Sequence, residues 1–260
     1  MSIEHIYGKQ AVLACLRSKK QTIEKIFVYS SYLNSPTPEL NAILTMAKQN
    51  NVHISSVSKE KLTELVDTDK HQGVVAIVTS LAILGLDELL ELPSKNKYRL
   101  YVILDGIEDP HNFGAISRSA EAFGADGLIW SSNKGVGITA TAYKTSAGSL
   151  AYLNLCKVSN ISYAIEKLKK NNIWVAGLDA SANEDLYRKD WGIHTAIVIG
   201  SEGFGMQKLV KSNCDFLIKI PMYGETSSLN ASVAAGISIS HISYSQNTIA
   251  TPKKDHHLDL

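Results

Sequence analysis

Three short stretches of this 260-residue chain hold most of the residues that look costly to keep for folding alone. The first runs from Asp105 through Asn112 to Arg118. It offers an amide at an expected helix start and a guanidinium one and a half turns further on, so both are expected to face one mouth. The second, Gly200-Ser201-Glu202-Gly203-Phe204-Gly205, sets glycines around one carboxylate, and glycines let a ligand approach the backbone closely. The third runs from Ile220-Pro221-Met222-Tyr223 to Ser227-Ser228-Leu229-Asn230, where an apolar strand stops at a proline and small residues lead into a helix capped by Ser or Asn. Hydroxyl and amide groups there stand beside the unpaired N–H donors of a helix start, which suits a polar, partly anionic ligand. Each stretch alone also reads as ordinary structure, with Asn112 a simple N-cap and Arg118 a solvated helix residue.

Several chemistries find no support. Gly200-x-x-Gly203-x-Gly205 has the wrong order of spacings for a dinucleotide fingerprint, and there is no Walker A run, G-x-S-x-G elbow or H-E-x-x-H helix. His71, His111 and His194 are scattered, and His256-His257 is too short a pair to mark a metal site, so no metal is expected. Cys15, Cys156 and Cys214 are odd in number and lack C-x-x-C spacing, which argues against disulfides or zinc and for a reducing cytosol. The Met1–Gln10 segment has no apolar core, and no stretch nears 18 uncharged apolar residues, so neither membrane nor export is expected.

Positioning these stretches takes an α/β fold. Hydrophobic content of 45% with 20% charge is globular, and the formal charge of +1 says nothing about partners because electrostatic footprints are local. Helices are expected at Lys9–Leu16, Pro38–Gln49 and Lys59–Val66, with strands at Ile23–Tyr29, Val52–Val57 and Gly73–Thr79. They make a small α/β domain over 1–80. Residues 81–98, ending in a polar Pro93-Ser94-Lys95-Asn96-Lys97 run, read as a linker, 99–247 as the second domain and 248–260 as a flexible tail. In the second domain, strands at Arg99–Leu104, Gly127–Trp130, Tyr152–Leu155, Ile173–Leu178, Thr195–Ile199 and Phe216–Ile220 alternate with helices, which specifies a mostly parallel sheet covered on both faces. Ligands of such sheets sit beyond the strands' carboxyl ends, where all three stretches fall.

In order and spacing, Asn112-Phe113-Gly114-Ala115-Ile116-Ser117-Arg118, Ile199-Gly200-Ser201-Glu202-Gly203 and Ile220-Pro221-Met222 with Ser227-Ser228-Leu229-Asn230-Ala231-Ser232 resemble the three motifs of the SpoU (TrmH-like) RNA ribose 2′-O-methyltransferases. Ile6-Tyr7-Gly8-Lys9-Gln10-Ala11-Val12 and His71-Gln72-Gly73-Val74 resemble the substrate-binding domain of the RlmB subfamily. The resemblance implies a SPOUT α/β domain with a C-terminal trefoil knot, working as a homodimer behind a ribosomal-protein-like RNA-binding domain. It implies S-adenosylmethionine as cofactor, held by the backbone around Gly200, Ile220 and Leu229, and RNA as partner. It assigns Arg118 to the ribose hydroxyl, Asn112 to the ribose or Arg118 across the dimer interface, Glu202 to ordering the knot loop, and Ser228 and Asn230 to the cofactor loop. A cytoplasmic enzyme acting on a 23S rRNA guanosine follows. The alternatives are a tRNA ribose methyltransferase and a non-catalytic RNA-binding or ribosome-assembly factor. Arg17, Lys19, Lys20 and Lys25 favour folded rRNA as the basic face of the first domain, or else form a solvated helix end.

Overall fold

The computed structural model of the chain describes residues 3–133 and 135–250; of the expected 248–260 tail, 248–250 continue the last helix, and the remainder, with His256-His257, lies outside the described residues. The first unit contains β1 (Ile3–Tyr7), α1 (Lys9–Ser18), β2 (Ile23–Tyr29), α2 (Ser30–Asn34), α3 (Pro38–Gln49), β3 (His53–Val57), α4 (Lys59–Val66) and β4 (Val74–Thr79). Its sheet has the order β1-β4-β2-β3, antiparallel except for the β2–β3 pair. Thr37 and Ser58 start α3 and α4 by accepting from the N–H groups of Leu40 and Lys61, each satisfying a donor the helix leaves orphaned.

The second unit contains β5 (Ile83–Leu84), α5 (Leu86–Glu91), β6 (Leu100–Asp105), α6 (Pro110–Ala122), β7 (Gly127–Ser131), α7 (Ala140–Thr145), a 3-10 turn at Ser149–Ala151, β8 (Leu155–Val158) and α8 (Ile161–Lys170). It continues with β9 (Trp174–Leu178), β10 (Glu184–Asp185), β11 (Thr195–Gly200), α9 (Lys208–Asn213), β12 (Phe216–Lys219) and α10 (Ala231–Ala250). Its strands form one parallel sheet ordered β10-β12-β9-β11-β6-β7-β8-β5. Strands β6 and β7 are buried throughout, as continuous apolar runs in a sheet covered on both faces should be. The sheet is built outward on both sides of the central β6–β11 pair, where strand order reverses.

Three expectations change. Residues 81–98 are not a bare linker: β5 pairs with β8, and Leu86, Leu89 and Leu90 of α5 are buried on the second sheet. The strand expected at Tyr152–Leu155 lies at Leu155–Val158, because Gly148 at φ +87 turns the preceding residues into the 3-10 segment, whose Leu150 and Ala151 fill the core. Helix α6 begins at Pro110 with Asp109 as its cap, accepting from the His111 N–H at 2.9 Å, so Asn112 is not the N-cap but a buried residue of the first turn.

The two units share one buried cluster, with Val12 and Ile26 from the first and Leu104 and Ile116 from the second. Tyr143 donates its hydroxyl to Gln21 Oε1 at 2.8 Å. Lys20 Nζ donates to the carbonyls of Tyr152 and Leu153 at 2.8 and 3.0 Å, so this lysine fastens the units together rather than presenting charge to RNA.

Candidate functional site

A cleft of about 580 Å³ opens beyond the carboxyl ends of β9, β11 and β12. Leu178, Ile199, Ile220 and Leu229 supply apolar wall; Asp179, Ser201, Glu202, Ser228 and Asn230 supply polar rim. One side of it is the tight 201–205 turn after β11, closed by Ser201 N–H to Gly205 O at 3.1 Å and Gly205 N–H to Ser201 O at 2.9 Å. A Cβ on Gly200 would lie 2.3 Å from Gly205 C and 2.4 Å from Met206 N, so only glycine lets the turn fold back onto the strand. Gly203, at φ +85, faces open space, so its freedom serves the turn and not a close contact.

Asn230 organises the mouth. Its Oδ1 accepts from the N–H groups of Ser232 and Val233 at 2.9 and 3.2 Å, capping α10. Its Nδ2 donates to Asn112 Oδ1 at 3.0 Å and to Glu202 Oε1, and that Glu202 oxygen also accepts the Ala231 N–H at 3.3 Å. One amide thus ties the first stretch to the second and third, and the Glu202 carboxylate sits at the positive end of a 20-residue helix. Ser228 lines the cleft with its side chain exposed.

Arg118 is placed elsewhere. It is exposed on α6 and has no hydrogen-bond or ionic partner among the described residues. Six positions at 100° each set it about 120° around the helix from Asn112, so within one chain the two do not share a mouth. The expectation that they do is corrected by helix geometry.

Two carboxylates matter that sequence reasoning did not single out. Asp105, buried at the end of β6, accepts from Gln207 N–H at 2.7 Å and Gln207 Nε2 at 2.6 Å, fixing where the glycine turn leads into α9. Asp179 lines the cleft; burial pushes its carboxyl up, but the Lys211 ammonium at 2.6 Å and the Ser181 N–H and hydroxyl outweigh this and hold it below the ordinary carboxylate value. For Asp105 only its position at the carboxyl end of a strand could have signalled it, since Gln207 lies 102 residues away; for Asp179 the Asp179-x-Ser181 spacing was a local signal, while Lys211 lies 32 residues away.

Against known proteins, residues 99–240 match the model described as the SpoU rRNA Methylase family, and residues 5–84 match RNA 2′-O ribose methyltransferase substrate binding. The chain is 40% identical over 252 residues to "Putative TrmH family tRNA/rRNA methyltransferase YacO" of Bacillus subtilis, covering 96% of this chain and 99% of that protein. A Staphylococcus saprophyticus protein of the same description is 38% identical over 94% of this chain and 96% of its own. Among solved structures, AviRb of Streptomyces viridochromogenes, a SpoU methyltransferase in complex with S-adenosylmethionine, superposes with a TM-score of 0.77 at 23% identity over 95% of this chain and 91% of its own. The TrmH/SpoU tRNA modifying enzyme of A. aeolicus superposes with a TM-score of 0.54 at 26% identity over 64% of this chain and 84% of its own.

Proposed function

Because the chain belongs to the SpoU rRNA methylase family, we propose that it transfers a methyl group from S-adenosylmethionine to a ribose 2′-hydroxyl of RNA, with a guanosine of 23S ribosomal RNA as the target. The observation that carries this is the Asn230 amide, which joins Asn112 and Glu202 at the rim of a cleft large enough for a nucleoside-sized ligand. The cleft suits the cofactor: its apolar walls match an adenine face, the Gly200 turn brings backbone polar groups close, and Asp179 and Glu202 favour a cation. Gly200, Ile220 and Leu229 would hold the cofactor, with Ser228 on its loop. When bound, it supplies an electrophilic methyl on a positively charged sulfur.

The remaining chemistry falls to the chain's own side chains. A guanidinium has donors and no acceptor, so Arg118 is not assigned as a base. It acts as an electrostatic clamp, stabilising the oxyanion that develops at the 2′-oxygen and aligning a substrate phosphate able to take the proton. Asn112 orients the ribose, and Glu202 and Asn230 keep the two loops in register.

Since Arg118 lies off the cleft of its own chain, the reading calls for a second copy. Helix α10 supports one. It has no Asp, Glu, Lys or Arg in 20 residues, and it buries Ala235, Ile239 and Ile242 inward while leaving Val233 and Tyr244 exposed outward. A two-fold contact on the outer faces of α6 and α10 would present each Arg118 to the partner's cleft. The trefoil knot belongs where the 221–230 loop passes the 201–205 turn before α10.

Transfer of labelled methyl to unmodified 23S rRNA fragments, with unmodified tRNA in parallel, tests this directly. Incorporation into one rRNA stem-loop, lost in Arg118→Ala, is the expected result. Incorporation into tRNA alone would move the substrate to the other class that the relatives' names include, and RNA binding without turnover on either would leave a non-catalytic assembly factor. Arg118→Lys should lose most activity at every pH, because an ammonium does not reproduce the guanidinium fork. Full activity in that variant would overturn the clamp.

A further inference from the structure

The first unit carries a second cleft, of about 410 Å³, walled by Lys9, Gln10, Tyr32, Glu39 and Gln72. Its walls are held in place from several sides. Lys9 Nζ donates to Thr37 Oγ1 at 3.0 Å and lies 5.6 Å from the centre of the Tyr32 ring, and Lys9 N–H donates to Gln72 Oε1 at 3.1 Å. The ring meets Tyr29 edge-on at 5.1 Å and rests on Gly73, where a Cβ would sit 2.4 Å from it. Gln72 has φ +54, a left-handed backbone at a non-glycine residue, and such conformations persist only where the surroundings over-determine them. His71 supplies part of that determination by accepting the Gly73 N–H on Nδ1 at 2.9 Å.

A cation of the second unit lies close to the cleft. Lys144 of α7 donates to Lys70 O at 2.5 Å. Its Nζ lies 3.0 Å from the point where Gly8 would carry a Cβ, and Gln72 Oε1 lies 3.2 Å from that same point. Thr145, the next residue, has Oγ1 3.3 Å from Nδ1 of His111, the neighbour of Asn112. Helix α7 thus contacts both the 70–73 turn beside this cleft and the residue preceding Asn112.

The chemistry of the walls is that of a base reader. A bare phosphate site gains nothing from a carboxylate, yet Glu39 is here, kept ionised below the ordinary carboxylate value by its own backbone N–H and the Thr37 hydroxyl. A carboxylate is acceptor-only and takes two parallel N–H donors, the pattern guanine offers on its pairing edge. Tyr32 is 41% exposed and presents a stacking surface, and unpaired bases in RNA are captured on such rings. Lys9 and Lys144 supply charge for the adjoining backbone.

Resting on the RNA-methyltransferase reading, we infer that this cleft is a separate RNA subsite, taking an unpaired guanine against Tyr32 with Glu39 on its pairing edge and the flanking phosphate on Lys9 and Lys144.

The test is fluorescence anisotropy of the full chain with labelled hexanucleotides UUGUUU, UUAUUU and UUUUUU. The guanine-containing strand should bind severalfold tighter than the others. Tyr32→Ala should weaken it by roughly tenfold while Tyr32→Phe keeps it, as expected for stacking. Glu39→Gln should level the three strands, and Lys144→Met should weaken all three alike and flatten the salt dependence. Thermal melting of each variant, with calorimetric S-adenosylmethionine binding unchanged, shows that the fold and the other cleft are intact. Equal binding of the three strands by the wild-type chain, or wild-type behaviour of Tyr32→Ala and Glu39→Gln, overturns the inference. Failure of the wild-type chain to bind S-adenosylmethionine would instead strike the methyltransferase reading, whatever the hexanucleotides do.

Discussion

Asn230 holds two jobs that substitution can separate. As the cap of α10 its Oδ1 serves the helix; as a donor its Nδ2 joins Asn112 to Glu202. Asn230→Asp keeps a good cap but loses the donor and sets a second carboxylate beside Glu202, whereas Asn230→Ala loses both functions and about 1 kcal/mol of helix stability. Methyl transfer should fall steeply in both. In Asn230→Asp the paired carboxyls should resist joint ionisation, so the fold binds a proton more tightly than the unfolded chain does and stability drops as pH rises from 5 to 8. Denaturant melts of the two variants at both pH values would separate cap from donor; a flat profile in Asn230→Asp would show that the carboxylates are too well solvated to couple.

At the scale of elements, the turn at residues 70–73 carries a buried histidine that makes the first unit sensitive to acid. Burial, with help from the Lys59 and Lys144 cations, pushes the His71 imidazole below its ordinary 6.5, while Asp69 opposes the shift. The unfolded chain therefore takes up its proton at a higher pH than the folded one. Stability should be at its full value above 6.5 and be lost as pH falls from there toward the lower folded value. Equilibrium unfolding at pH 7.5 and 5.5, compared with His71→Gln, should show a smaller acid loss in the variant. The elements themselves were legible to very different degrees. The buried strands β6, β7 and β11 announced themselves as apolar runs, and the three ligand loops followed because such sheets bind at strand ends. By contrast β5 and β10 have two residues each, too few for any periodicity, and Asp109 outcompeted Asn112 as a cap because Pro110 suits the first helical position. The Asp105–Gln207 tie joins residues 102 positions apart and leaves no local signal.

At the scale of the whole molecule, placing Arg118 away from its own cleft predicts a shared active site. Mixing inactive Arg118→Ala with inactive Glu202→Ala chains, with exchange of subunits, should restore about a quarter of wild-type activity through one intact site per mixed dimer. No recovery, with mixed dimers verified by mass, would place the whole site within one chain. Val233→Lys or Tyr244→Lys should produce monomers by light scattering and abolish transfer, because a charge would then sit on the uncharged outer face of α10. The seam between the two units has a further consequence. Lys20 is anchored to two carbonyls, Tyr143 is bonded to Gln21, and Gly148 packs where a Cβ would come within 2.3 Å of Ala14, so the arm that reads RNA is bolted to the head that modifies it. Such a frame works as a caliper: its fixed span selects a nucleotide by its distance from a landmark elsewhere on the folded RNA, and one base pair added between landmark and target would carry the ribose out of reach.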